Sequence, residues 1–232
     1  QNVGGLTNLL AAMAQHNVTN FVFSSSAAVY GQPELQPDEL ITESTTCSPI
    51  NPYGATKLVG EWLSQARVIS DGFSVAALRY FNVAGAGRPE LGDVFAFNLV
   101  PIVLTALTNK QKPKIFGDDY STADGTCIRD YIHVQDLAEA HVAAMDLVES
   151  RTSGFDAINI GTGKGSSVKE VISQIEKTVK QNLNPEVIGR RPGDPGQLVA
   201  DISESTTKLG WKSQYDLEDI VESAWEAWNY SK

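Results

Sequence analysis

Tyr53 and Lys57 stand four residues apart in Tyr53-Gly54-Ala55-Thr56-Lys57. On a helix that spacing puts both side chains on one face. A cation beside a phenol favours the phenolate, and a phenolate exchanges a proton readily with an alcohol hydroxyl at neutral pH. Spacing alone also describes a surface tyrosine beside a surface lysine, and taken alone that reading wins. Ser26 shifts the balance. The run Ser24-Ser25-Ser26 closes an apolar stretch at 21–23 that reads as a short buried strand. Three serines there could instead cap or turn the chain. A strand-end serine followed by a helix carrying Tyr and Lys is far rarer than either part and points to proton transfer.

These residues need elements to position them. Residues 2–17 read as a helix, with apolar Val3, Leu6, Leu10 and Met13. A proline-rich loop over 31–52 separates the strand from a helix over 52–70. Pro52 suits the helix start and Asp71-Gly72 stops it. Leu58, Trp62 and Leu63 are expected on its apolar face. Residues 74–80 form a further strand. Strand alternating with helix implies a parallel sheet with helical crossovers. A Gly-rich loop over 82–93 then falls at the carboxyl end of a strand, where open α/β sheets bind ligands.

Beyond it, 95–108 reads as a helix broken or shifted by Pro101, and 114–116 and 128–134 as extended. Asp136 is placed to cap a helix reaching 148. Residues 155–160 form a strand, and 168–179, 203–209 and 217–230 form helices. Trp211, Trp225 and Trp228 are expected in the core of a small C-terminal domain. No strand precedes the first helix. That beginning reads as mid-layer, with an N-terminal part expected to be missing.

Composition narrows the functional classes. The chain has 232 residues, 42% hydrophobic and 20% charged, with a formal net charge of −10. That is globular composition. It disfavours a nucleic-acid surface, which needs basic clusters. No metal-ligand spacing joins Cys47 and Cys127 to His16, His133 or His141, so no metal is expected. Two isolated thiols suit a reducing, cytoplasmic setting. No apolar run is long enough to span a bilayer.

Three motifs carry a resemblance over the whole chain. They are Phe23-Ser24-Ser25-Ser26-Ala27-Ala28-Val29-Tyr30-Gly31, Pro52-Tyr53-Gly54-Ala55-Thr56-Lys57, and Leu78-Arg79-Tyr80-Phe81-Asn82-Val83-Ala84-Gly85-Ala86. They resemble the extended short-chain dehydrogenase/reductases. Ile115-Phe116-Gly117-Asp118-Asp119-Tyr120, Arg129-Asp130-Tyr131-Ile132-His133-Val134, the Arg191-Pro192-Gly193-Asp194 loop and Leu209-Gly210-Trp211 narrow this to the nucleotide-sugar 4-epimerase branch. The Gly-rich fingerprint that holds a dinucleotide pyrophosphate in that family is absent from this sequence.

The resemblance implies an α/β fold: part of a Rossmann NAD-binding parallel sheet, with a smaller α+β substrate domain at the C-terminal side. It places the first domain at 1–82 plus about 134–162, and the nucleotide-sugar domain at 83–133 plus 163–232. It implies interconversion of UDP-galactose and UDP-glucose by transient oxidation at C4, with bound NAD, in galactose metabolism. In that scheme Tyr53 is the base, Lys57 favours its phenolate and bonds the nicotinamide ribose, and Ser26 relays the proton and bonds the sugar oxygen. Asn2 and Phe81 match cofactor contacts, with core packing an equal alternative for Phe81.

Asn82 and Asn98 match amide contacts near the diphosphate, Leu99 matches a substrate contact, and Lys114, Ile115 and Phe116 match the strip packing the uracil. Arg129 and Arg191 would pair with the diphosphate through their planar forks. Otherwise Arg129 is a salt bridge to Asp130 or Asp136, and Arg191 a solvated loop charge. Asp194 matches a ribose or loop contact, and Tyr131 lines the site. Leu198 matches a position that gates sugar size, leaving N-acetylated sugars open. A homodimer is expected, through the helices at 2–17 and 52–70. Without the fingerprint, the chain alone is expected to be inactive.

Two alternatives compete. Another NAD-dependent nucleotide-sugar enzyme, such as a dehydratase or decarboxylase, would carry acidic residues right after the strand-end serine. Ala27 and Ala28 stand there instead. The other alternative is a UDP-sugar-binding module without catalysis.

Overall fold

The computed structural model describes residues 2–36, 38–93, 95 and 97–230. Pro37 of the expected loop and Ala96 of the expected helix lie outside them. In chain order the first elements are α1 (Asn2–Gln15), β1 (Asn20–Ser24), α2 (Pro52–Asp71), β2 (Ser74–Tyr80), β3 (Asn82–Ala84) and α3 (Leu99–Thr108). Next come β4 (Lys114–Phe116), β5 (Ile128–His133), α4 (Val134–Glu149), β6 (Gly154–Ile160) and β7 (Gly165–Ser167). The chain continues through α5 (Val168–Val179), β8 (Glu186–Ile188), β9 (Gln197–Leu198), α6 (Ser203–Leu209) and α7 (Leu217–Tyr230).

The described residues fall into two compact units. The first takes those of 1–81, 138–160 and 201–212. Its sheet is parallel throughout, in the order β1-β2-β6, as α/β alternation requires. β2 is the central strand and is buried along nearly its whole length, which its run Ser74-Val75-Ala76-Ala77-Leu78 permits. Leu10, Phe73 and Val75 form a core that Leu6, Met13, Phe21 and Leu63 complete. Each fully buried side chain of this kind contributes roughly 1.5–3 kcal/mol.

Local chemistry fixes α2. The Asn51 side chain accepts from Gly54 N–H at 2.8 Å, Pro52 supplies a pre-set first turn, and Gly72 closes the helix in the left-handed conformation at φ 70°. Gly54 has a second function. A Cβ there would lie 2.4 Å from the Ala28 carbonyl oxygen, so only glycine lets the helix start rest on the turn after Ser26. Likewise a Cβ at Gly60 would meet the Phe23 ring at 2.4 Å, which sets α2 closely against β1.

The second unit takes the described residues of 82–137, 161–200 and 213–232. Its sheet runs β3-β5-β7, with β9 also on β5. β5 is parallel to β3 and β9 and antiparallel to β7, and β4 and β8 form a separate parallel pair. Val100, Val103 and Leu104 of α3, Val171, Ile172 and Ile175 of α5, and Ile220 and Val221 of α7 share one core. The Ser167/Glu170 capping box starts α5, and Lys180, at φ 55°, ends it.

Several expectations change. The stretch at 82–93 is not wholly loop: it opens with β3 and holds a 3-10 turn at Pro89–Leu91. The helix expected from 95 is shifted and not broken: α3 starts at Leu99, after the N-cap Asn98, and Pro101 falls in the first turn, where no N–H partner is needed. Asp136 lies inside the first turn of α4 instead of capping it. Its carboxylate accepts from Gln214 and Tyr215 N–H. Trp62 is 59% exposed, away from the buried face. Trp211 is buried but sits in the first unit with the rest of 201–212, while Trp225 and Trp228 pack on the second unit's core.

Candidate active site

In the first unit, the strand end and helix start bring the three proton-transfer candidates onto adjoining backbone. Ser26 is extended (φ −161°, ψ 148°) and N-caps the 3-10 turn Ala27–Val29, its hydroxyl accepting from Ala28 N–H at 3.2 Å. That turn is the one Gly54 rests on. Lys57 points back at the strand: Nζ donates to the Ser24 carbonyl at 2.7 Å. It lies 5.5 Å from the Tyr53 ring centroid and 5.4 Å from that of Phe23. Burial lowers the Lys57 pKa. The Tyr53 ring is 47% exposed and open to a ligand. Beside it, the Tyr80 phenol is pushed up to about 12, first by burial and then by Tyr53.

The two candidate cofactor contacts behave differently. The Asn2 amide donates to Thr56 Oγ1 at 3.2 Å, tying α1 to the turn that carries Lys57. Phe81 is 6% exposed and donates its N–H to the Ile160 carbonyl. The Lys57 ammonium spends one N–H on Ser24, and two donors remain for a ribose hydroxyl. Lys57 therefore fits the ribose at the nicotinamide end of NAD, while the burial of Phe81 is that of a core side chain.

In the second unit, ten sequence-predicted residues line one cavity of about 220 Å³: Asn82, Asn98, Leu99, Lys114, Ile115, Phe116, Arg129, Tyr131, Arg191 and Asp194. They come from five separate segments. Asn98 caps α3 through its backbone and makes no capping bond with its side chain, which leaves the amide for the cavity. Strand alternation puts Lys114 and Phe116 on one face of β4, while Ile115 turns into the core at 2% exposure. Asn82 lies opposite Tyr131 in the β3–β5 register. Burial pushes the Tyr131 phenol up, so it lines the cavity as a neutral group.

Two arginines supply the positive charge. The Arg191 guanidinium carbon stands 3.7 Å from the Phe116 ring centroid, so the Arg191 charge, though exposed, is held over a ring that lines the cavity. Arg129 is buried. It donates to Asp194, to the Pro195 carbonyl at 2.8 Å and to the Ile128 carbonyl at 2.7 Å. The sequence offers Asp130 or Asp136 as its partner, and the structure gives Asp194 instead. Asp130 is engaged elsewhere, accepting from the N–H groups of Thr162, Gly163 and Ala200. Arg129 thus pins the 191–196 loop while lining the cavity.

Leu198 pairs with Arg129 across β5 and β9 and is half-buried, but it is not among the residues lining the cavity. Phe97, Ile102, Gly117, Cys127 and Val168 line it too and are missed by sequence reading. For Phe97 and Gly117 the signal is adjacency to Asn98 and Phe116; the others are ordinary core residues by type. The Cys127 thiol is buried, 3.9 Å from an Asp194 carboxylate oxygen, and both cysteines are free. Among the described residues, no helix is long and apolar enough to cross a membrane, and no group of His, Cys, Asp or Glu is arranged to hold a metal.

Comparison with known proteins adds an independent line. Residues 1–161 match the NAD dependent epimerase/dehydratase family. The UDP-glucose 4-epimerase of Corynebacterium glutamicum is 43% identical over 228 residues, which is 97% of this chain and 68% of that one. The crystal structure of UDP-glucose-4-epimerase from Stenotrophomonas maltophila, with bound NAD and formylated UDP-arabinopyranose, superposes with a TM-score of 0.91. It is 37% identical, over 99% of this chain and 69% of that one. UDP-glucose 4-epimerase from Bifidobacterium longum, in complex with NAD+ and UDP, gives a TM-score of 0.86 at 39% identity, over 99% and 69%. The chain spans about two thirds of the length of each.

Proposed function

The chain belongs to the NAD dependent epimerase/dehydratase family, and we propose that its residues serve the interconversion of UDP-galactose and UDP-glucose, the reaction of a UDP-glucose 4-epimerase. The observation that carries this reading is the cavity in the second unit, where ten predicted nucleotide-sugar contacts meet. Arg191 and Lys114 supply charge for a diphosphate. Phe116 offers a ring for the uracil. Asn82 and Asn98 offer amides, and the Arg129–Asp194 pair holds the loop that carries Arg191. Leu198 stands as the candidate gate on sugar size.

NAD, when bound, supplies the hydride acceptor at the sugar C4. Tyr53, as phenolate, takes the proton from the 4-hydroxyl and returns it. Lys57 stabilises that phenolate and is fixed by the Ser24 carbonyl, with donors left for the ribose. Ser26 bonds the sugar oxygen and relays the proton, and Asn2 and Phe81 flank the cofactor end. Ala27 and Ala28 offer no acid for elimination or decarboxylation, which favours simple epimerisation. The first unit is thus assigned the cofactor side and the second the nucleotide-sugar side.

The same proposal includes a cytoplasmic setting, a role in galactose metabolism and a homodimer through α1 and α2. Exposed Leu9, Trp62 and Ile69 on those helices support the dimer, and light scattering that returns a monomer of the full-length protein would remove it. Calorimetry with UDP tests the nucleotide site. Binding to the chain that is weakened in Arg191→Ala supports it, and a chain that binds no UDP contradicts it.

A further inference from the structure

A buried polar network lies behind the proton-transfer residues. Ser25 is fully buried, and its hydroxyl donates to Glu61 Oε1 at 2.5 Å. Glu61, on α2, is 3% exposed. It accepts a two-pronged contact from Arg79 of β2: Nε to Oε1 at 3.0 Å and Nη2 to Oε2 at 2.7 Å. The remaining arm of Arg79, Nη1, donates to the Tyr30 hydroxyl at 3.0 Å. Tyr30 in turn donates to Asn159 Oδ1 of β6 at 2.6 Å. All these groups are in the first unit.

An ion pair buried this deeply is a poor means of stabilisation, because two charges must leave water. Apolar residues of similar volume often serve as well or better. What a two-pronged arginine–carboxylate contact adds is orientation. Its location gives that orientation a purpose. Glu61 lies one helical turn beyond Lys57, and Ser25 lies between Ser24 and Ser26. Lys57 holds the Ser24 carbonyl and Glu61 holds the Ser25 hydroxyl, so two contacts a turn apart pin one face of α2 to one strand end. Arg79 locks the second contact from the neighbouring strand.

We propose that Glu61 and Arg79 are positioning residues that hold Lys57 and Ser26 in register for proton transfer at Tyr53. The inference rests on the roles given to Lys57, Ser26 and Tyr53 above. Neither Glu61 nor Arg79 lines the nucleotide cavity, so their loss should leave nucleotide binding in place.

The test pairs the double variant Glu61→Leu/Arg79→Met, which removes both charges together, with Arg79→Lys, which keeps the charge and loses the fork. In the full-length protein, both are expected to lower kcat, the double variant by about 100-fold, as small misplacements of reacting groups do. KM for UDP-galactose should hold. In the 232-residue chain, the Lys57 ammonium is followed by nitrogen-15 NMR. Its midpoint, depressed by burial, should rise toward the ordinary 10.5 as the helix face loosens. A double variant with parental kcat overturns the inference; if it does not fold, a parental kcat in Arg79→Lys does so. Should the parent show no epimerisation, the proposed function falls. The Lys57 midpoint then decides the positioning claim, and a midpoint unmoved in both variants overturns it.

Discussion

Lys57 Nζ donates to the backbone carbonyl of Ser24 at 2.7 Å, so the lysine of the helix is fastened to the strand that leads into Ser26. The contact leaves the Tyr53 ring exposed and the cation beside it. A site for proton transfer needs this: a rigid cation, a rigid serine and a phenol open to a ligand.

The close approach of α2 to the turn after Ser26 depends on Gly54. Gly54→Ala puts a Cβ 2.4 Å from the Ala28 carbonyl oxygen, and backbone cannot give way as a side chain can. We expect a cost of about 1–3 kcal/mol and displacement of Tyr53 relative to Ser26. Thermal melting should show the first. Activity of the full-length protein should fall further than the melting shift explains.

Arg191 should be the sensitive residue of the cavity. Hydrogen bonds to charged groups contribute about 1.5–3 kcal/mol, so Arg191→Ala is expected to weaken UDP binding by roughly 10- to 100-fold in calorimetry. Arg191→Lys should recover only part of this, because an ammonium neither forks onto phosphate nor stacks flat on Phe116.

Leu198 is the test of sugar size. Leu198→Tyr is expected to lower turnover of UDP-N-acetylgalactosamine relative to UDP-galactose, and Leu198→Ala to raise it. Competition between the two sugars in one reaction reads the ratio directly. Equal ratios in all three proteins would release Leu198 from that assignment.

His133 should give the fold a pH dependence. Its Nε2 bonds Ser223 Oγ at 2.9 Å, its Nδ1 accepts from Gln135 N–H at 3.0 Å, and Tyr215 stacks on the ring at 4.4 Å. Burial lowers its pKa below the ordinary 6.5, against the opposing pull of Asp136 and Asp219. The unfolded chain therefore binds the proton more readily. Stability from this group is complete above pH 6.5 and is lost as pH falls from there toward the lowered folded value. Denaturant titrations at stepped pH should show the slope, and His133→Gln should flatten it.

Much of the fold is legible along the chain because its signals are local. Helices α5 and α7 and strand β2 follow from periodicity and end signals alone. The two- and three-residue strands β3, β7, β8 and β9 leave no such trace, since their pairing is decided by distant partners. Trp62 misleads because an apolar residue on a helix does not reveal whether protein or solvent faces it. In the site, the family resemblance reaches ten of the cavity residues and misses Phe97, Ile102, Gly117, Cys127 and Val168. The partner of Arg129 is not legible, since Asp194 is remote in sequence. Nor is the Glu61–Arg79 contact: a glutamate four residues after Lys57 reads as surface charge until β2 is packed against it.

The central claim is most directly tested by proton NMR of the full-length protein with NAD and UDP-galactose, beside Tyr53→Phe. The parent should convert UDP-galactose to UDP-glucose with no net NADH. Tyr53→Phe should be slower by about 10²- to 10⁴-fold while binding UDP as before. A parent that releases a 4-keto-6-deoxy sugar, or a Tyr53→Phe variant as fast as the parent, would contradict it.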